Sequence, residues 1–269
     1  MGNLNGLFSG VNEKVSEVAG QVGSTPQSWN SGVFNMVKNL SENVVIPIAG
    51  IILTFVMTYE LIQMVIDKNS FHDFETFTFF KWVFKTFAAT LIVTNTWNII
   101  MGVFDVAQHV VNQASGIIVS DTNLDITAVI ANMEARLQAM DAGTLFLLWF
   151  QTLLVGIISR ILSVCIFLIV YGRMLEIYLM ASLGPIPLAT MANREWGSMG
   201  QNYLRSLLAL AFQAFLIIVC VAIYSVLVHT IAVDGDIIAS IWTCVGYTVL
   251  LCFTLFKTSS LSKAIFSAH

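Results

Sequence analysis

The residues of this 269-residue chain that could do chemistry are charges and helix breakers set inside apolar runs. Residues 173–197 read RMLEIYLMASLGPIPLATMANREWG. The stretch is apolar enough for a bilayer. It nevertheless holds Arg173 and Glu176 at one end, Gly184-Pro185-Ile186-Pro187 in the middle, and Arg194 with Glu195 at the other. Proline removes a backbone donor and clashes with the preceding helical turn. Irregular backbone survives at membrane depth only where protein or water covers it. The segment is therefore expected inside a membrane assembly that covers the break. Two roles stay open for it: a plain helix stop at the inner surface, or a re-entrant element facing a passage.

Glu60 and Arg160 are the most deeply placed charges. Each lies about 17 residues past the outer end of its apolar run, or about 25 Å of helix. Equal depth permits pairing. A lone charge in hydrocarbon costs roughly 2.5–3.5 kcal/mol on insertion scales, and pairing offsets much of that. The expectation is an ion pair that lines a passage or fixes subunit packing. The plainer alternative is two snorkelling side chains near a water cavity. Arg173 and Glu176 stand three apart on one helix face and read as a local pair at the inner boundary. Thr94, Asn95, Thr96, Asn98 and Gln213 are polar groups within spans, expected to bond neighbouring helices.

Enzymatic chemistry finds no support. There is no GxxxxGK[ST] phosphate loop, no HExxH and no GxSxG. The four cysteines sit in apolar runs without a CxxC pair and read as packing residues. The four histidines are scattered. No cofactor or metal is expected. A net charge of −4 with no basic tail argues against electrostatic capture of nucleic acid.

Composition sets the class. The chain is 57% hydrophobic and 10% charged, whereas soluble domains carry about 25% charged residues. The apolar runs are long enough for membrane spans, at roughly 20 residues each. They fall at residues 43–66, 80–104, 143–172, 204–228 and 237–256. The fold class is an all-α polytopic helix bundle with about five transmembrane helices plus amphipathic surface helices. Splitting 143–172 at Arg160 would give six spans and scatter the positive charges, so five is preferred. With the N-terminus outside, the basic residues gather inside and the C-terminus is cytoplasmic.

Residues 1–42 form an extracytoplasmic amphipathic segment, with Leu4, Leu7, Phe8, Val11, Val15, Val18 and Val22 at helical spacing. It is expected to lie on the membrane or against a partner. Residues 43–269 form the transmembrane domain. That domain includes an outer helical hairpin at 105–142 and an inner broken segment at 173–203. No single helix face is lined by polar residues in quantity. A passage is thus expected between several copies rather than within one.

The 173–197 segment, the following QNYLRSLLALAFQAFLIIV and the KTSSLSKAIFSAH tail resemble the TrbL-type membrane subunits of conjugative type IV secretion systems. The likeness is to the short forms found in integrative elements of Gram-positive bacteria, and it covers most of the chain from Asn43 onward. The resemblance implies a channel or scaffold subunit in the cytoplasmic (inner) membrane. It implies a homo-oligomeric ring on which pilus or stalk components assemble, with separate ATPases supplying energy. Transferred DNA is a further candidate partner, without sequence-specific recognition, and membrane lipids surround the whole. An independent small-solute transporter is the alternative. It is weakened by the single helix break, since transporters pair such breaks in repeats. A purely structural membrane organiser overlaps the first reading.

Overall fold

The computed structural model describes residues 17–18, 20–67, 76–121, 141–231 and 237–268. Among these residues all regular structure is helical. Five helices are long and apolar enough to cross a membrane: Ser31–Ile66, Phe77–Thr94, Ala142–Leu183, Gly197–Val228 and Ala239–Ile265. The chain is a multi-pass membrane helix bundle, as its composition requires.

Local chemistry sets the helix ends. Thr25 caps the short helix α1 (Pro26–Trp29), accepting from Ser28 N at 3.1 Å, with Pro26 in the first position where no donor is needed. Asn30 caps α2 (Ser31–Leu40), accepting from Val33 N at 3.0 Å. A π-turn (Ser41–Val45) then leads into α3 (Ile46–Asp67). The wide turn comes just before Pro47, which cannot donate to the turn before it. The first apolar helix thus begins at Ser31, ahead of the residue-43 boundary read from hydropathy.

Residues 80–104 were expected as one span, but the structure turns at Asn95. It gives α4 (Thr76–Thr94) and α5 (Thr96–Asp121). Three consecutive polar side chains bond back onto the last turn of α4: Thr94 Oγ1 to Thr90 O (2.9 Å), Asn95 Nδ2 to Leu91 O (2.9 Å) and Thr96 Oγ1 to Ile92 O (3.0 Å). Such back-bonding competes with the backbone ladder and bends helices. These residues therefore shape the end of α4 instead of bonding a neighbouring span. The first half of the expected outer hairpin continues α5, and Val111 is buried on its inner face. The rest, 122–140, lies outside the described residues.

Arg160 does not split its run. Ala142–Leu183 is one 42-residue helix, α6. Asp141 starts it, its carboxylate accepting from Gly143 N (3.2 Å) and Thr144 Oγ1 (2.5 Å). The Thr144 hydroxyl holds that exposed carboxyl below the usual range. The remaining helices are α7 (Pro185–Thr190), α8 (Gly197–Ile231) and α9 (Ile237–Ile265).

The chain divides into two compact units. One comprises Met1–Ser24, Gln108–Arg173 and Gln213–Leu261. Its core joins Val111, Ile166, Val170, Ile217, Val221 and Leu255. Val18 and Val22 belong to this core. The apolar face of the N-terminal segment, where described, therefore docks on the chain's own helices; residues 1–16 lie outside the description. Between α8 and α9 in this unit, Gln213 Nε2 donates to Thr258 Oγ1 (3.3 Å), a polar helix–helix bond of the kind expected for Gln213. Tyr224 Oη lies 3.0 Å from Thr248 Oγ1. The Thr248 hydrogen goes to Cys244 O (2.9 Å), so Tyr224 is the donor.

The other unit comprises Thr25–Ala107, Met174–Phe212 and Ser262–His269. One cluster centres on Trp97, Ile100, Phe104, Met174, Ile177 and Leu207. A second holds Ala49, Leu53, Met57, Ala89, Val93 and Ala189. Tyr178 Oη donates to Pro26 O at 2.5 Å, tying α1 to α6.

The Tyr224–Thr248 bond predicts an asymmetry. Tyr224→Phe removes one interhelical bond and lowers bundle stability by about 0.6–1.7 kcal/mol. Thr248→Val leaves a buried phenol without an acceptor and costs more, about 1–3 kcal/mol. Thermal unfolding of the detergent-solubilised protein, followed by tryptophan fluorescence, measures both.

Candidate functional site

The break sits where α6 meets α7. In an unbroken helix Gly184 N would bond Met180 O. Here it bonds Ala181 O instead, at 3.4 Å, and the helix stops at Leu183. The released Met180 carbonyl is taken by Tyr203 Oη of α8, at 2.9 Å. A buried carbonyl without a partner costs about 1–3 kcal/mol, so the tyrosine closes the account the proline opens. Its approach explains the glycine. A Cβ at Gly184 would lie 2.6 Å from Tyr203 Oη and 2.5 Å from Ile100 Cδ1. Gly200 is similarly constrained, since a Cβ there would meet Pro187 O at 2.6 Å.

The short helix α7 is itself covered. It packs against α3 and α4, with Ala189 fully buried among Ala49, Leu53, Met57, Ala89 and Val93. Pro185, Leu188 and Thr190 are also buried. Small residues let the backbones approach. The cover demanded by the Gly-Pro-Ile-Pro sequence thus comes from the same chain.

Beyond α7 the turn is clasped to α3. Asn193, nearly fully buried, accepts from Glu195 N (2.7 Å) and Trp196 N (3.2 Å). The Trp196 ring stacks on Phe55 (5.7 Å, 12°) and Tyr59 (5.6 Å, 3°). Glu195 accepts from Gln63 Nε2 at 2.9 Å and Tyr59 Oη at 3.5 Å. Phe55, Tyr59 and Gln63 recur at four-residue spacing, one face of α3. That spacing was the available signal for a clasp that sequence reasoning did not find. Arg194 between these groups is exposed.

The charges are placed differently from expectation. Glu60 is paired with Lys85 of α4, not with Arg160. The Glu60 side chain is 15% exposed and that of Lys85 40%. Trp82, one turn before Lys85, donates Nε1 to Met57 O at 3.0 Å and holds the two helices in register. Sequence depth matched Glu60 to Arg160, but α3 packs on α4, which brings Lys85 to it. Arg160 belongs to the other unit, exposed on α6. Glu176 meets Lys263 of α9 at 3.4 Å, a long-range partner that the local Arg173–Glu176 reading missed. Arg173 is buried, 5% exposed. Among the described residues, no three His, Cys, Asp or Glu side chains gather as a metal site.

Substitutions at the break and at the Glu60–Lys85 pair test this geometry. Tyr203→Phe strands the Met180 carbonyl and costs about 1–3 kcal/mol. Gly184→Ala drives that ring away and costs about 1–3 kcal/mol. Gly172→Ala, where the added methyl meets nothing, serves as the neutral control in the same thermal unfolding series. Lys85→Met leaves the Glu60 carboxylate buried beside apolar groups. Full burial would cost about 3–5 kcal/mol; with Lys85 part-exposed the expected loss is about 1–3 kcal/mol. Glu60→Gln with Lys85→Met should return to within about 1 kcal/mol of the parent, because the stranded charge is gone.

Comparison with known proteins agrees with this architecture. The family model described as TrbL/VirB6 plasmid conjugal transfer like protein matches residues 11–185, well over half of the chain. The match takes in the N-terminal segment and ends at Pro185. The α8 sequence and tail that also carried the resemblance lie beyond it. No curated protein and no solved structure matches. With a matched span running from the N-terminal segment to the start of α7, this five-span membrane protein belongs to the TrbL/VirB6-like conjugal transfer family.

Proposed function

We propose that the chain is a channel or scaffold subunit of a conjugative type IV secretion system. Several copies form a platform in the cytoplasmic membrane for DNA or protein transfer and for assembly of outer pilus or stalk components. The N-terminus lies outside and the C-terminus in the cytoplasm. Separate ATPases power the machine, and the subunit itself is not an enzyme.

The observation that carries the reading is the length of apolar helix left uncovered. Residues 143–172 of α6 carry one charge, Arg160. They span about 45 Å at 1.5 Å per residue. The hydrocarbon core is about 30 Å thick. Fitting one into the other needs a tilt of about 48°, steeper than the roughly 0–40° that spans adopt. Phe146, Leu147, Trp149 and Phe150 are each more than half exposed at the helix start. A helix apolar all round is normally enclosed all round. Neighbouring copies provide that enclosure where lipid does not reach. This supports an assembly over a free-standing transporter.

The oligomeric state tests it. Native mass spectrometry of the detergent-purified protein should show a ring-sized homo-oligomer, and deletion of the gene from its element should abolish conjugal transfer. A strictly monomeric particle whose loss leaves transfer intact would refute the proposal.

A further inference from the structure

We infer that Glu17 of one copy pairs with Arg160 of the next, so that the helical turn carrying Glu17 and Val18 meets α6 of its neighbour. The inference rests on the multi-copy reading above and names the contact that builds it.

Arg160 stands on the exposed face of α6. Its helical neighbours on that face, Ile157 and Val164, are 50% and 58% exposed. Among the described residues Arg160 has no ion-pair partner. Glu17 is also exposed and also without an ion pair among those residues. Val18 beside it is locked in the core of the same unit, which fixes the segment against α6. Glu17 and Gln21 line a small groove together with Ser163, Phe167 and Tyr171. Ser163 and Phe167 follow Arg160 by three and seven residues, about 5 and 10 Å along the helix. Tyr171 follows by eleven residues, about 16 Å, so two exposed opposite charges, neither ion-paired among the described residues, lie within about three turns of α6 on one unit.

Depth decides which groups can meet. In a ring whose axis runs along the membrane normal, the rotation between copies leaves depth unchanged. A head-to-tail interface then joins different patches of neighbouring copies at equal height. Within this unit the other described carboxylate side chain is Asp141, and it is committed to capping α6. It lies 19 residues from Arg160 along α6, or about 28 Å. Among the described carboxylate side chains of this unit, Glu17 is the one nearer in height to Arg160. The exposed apolar side chains around Arg160 dry the contact, and a dry contact strengthens the attraction.

The test is cross-linking in native membranes. Two tagged forms, one Glu17→Cys and one Arg160→Cys, are expressed together. They are treated with a short bis-maleimide, since a direct disulfide is too short for an Arg–Glu pair. A product carrying both tags is expected, and the double variant should give a ladder; single variants control for the native cysteines. Each cysteine removes a charge, so charge reversal supplies a second measurement. Glu17→Arg and Arg160→Glu should each cut a glutaraldehyde ladder of otherwise native protein at least tenfold, and the double reversal should restore it. A bis-maleimide product confined to single chains would overturn the inference in favour of pairing within one copy. Single reversals that keep the full ladder would overturn it in favour of lipid contact at Arg160. Either result with a persistent glutaraldehyde ladder leaves the platform reading standing. Absence of any ladder from the native protein removes both.

Discussion

Within hydrocarbon, a backbone carbonyl or amide has no water to turn to, and each one left unpaired costs several kcal/mol. A chain that places two prolines in an apolar segment must therefore bring partners to the released groups. Here the partners are specific. Tyr203 takes the Met180 carbonyl, Thr190 Oγ1 returns to Pro187 O at 2.8 Å, and buried Asn193 accepts from two amides of the following turn. The small residues around α7 follow from the same need, because a partner reaches a backbone only when no side chain intervenes. Gly184 and Gly200 admit close approaches of this kind, and Ala189, Ala49 and Ala89 are buried together where α7 packs on α3 and α4. The clasp of Trp196 on Phe55 and Tyr59 then holds the turn that follows the break.

Sequence reasoning reached the parts of this fold that depend on local composition. The five apolar helices were legible because span length is set by bilayer thickness. The break at Gly184 was legible because proline chemistry is local. The unbroken course of α6 through Arg160 was legible because one charge does not end a helix. The turn at Asn95 was not read. Thr94, Asn95 and Thr96 signal polarity, and only the backbone carbonyls they bond show that this polarity is spent on the last turn of α4. The π-turn before Pro47 was likewise hidden, since a proline near a helix start ordinarily needs no accommodation at all.

Charge pairing was the least legible feature, for a physical reason. Depth along a helix can be counted from sequence, but rotation about its axis and choice of neighbour cannot. Glu60 has Arg160 at a matching count and Lys85 at a matching position, and position wins. Glu176 has Arg173 one turn away, yet its carboxylate meets Lys263, 87 residues distant. Spacing rules describe isolated helices, where pairs contribute only about 0.2–0.5 kcal/mol. A tertiary contact that also orients two helices readily outweighs them.

These pairings divide the charges by where their partners come from. Glu60 and Glu176 are matched inside the chain, and the backbone released by the prolines is covered inside the chain. That unit can be complete on insertion, before any neighbour arrives. Arg160 is different, because it is exposed on an apolar helix and has no ion pair among the described residues. While the chain is alone, a long flexible side chain can reach toward headgroups or water at modest cost. In the proposed multi-copy platform, neighbouring copies would shut that route, and a carboxylate at the same height would then be required. Such an order of events would let the subunit fold before assembly and leave the Arg160 charge to the proposed contact between copies. The same reasoning explains why the polar rungs between α8 and α9 are neutral. A neutral bond fixes register within a chain without the desolvation cost that an ion would carry.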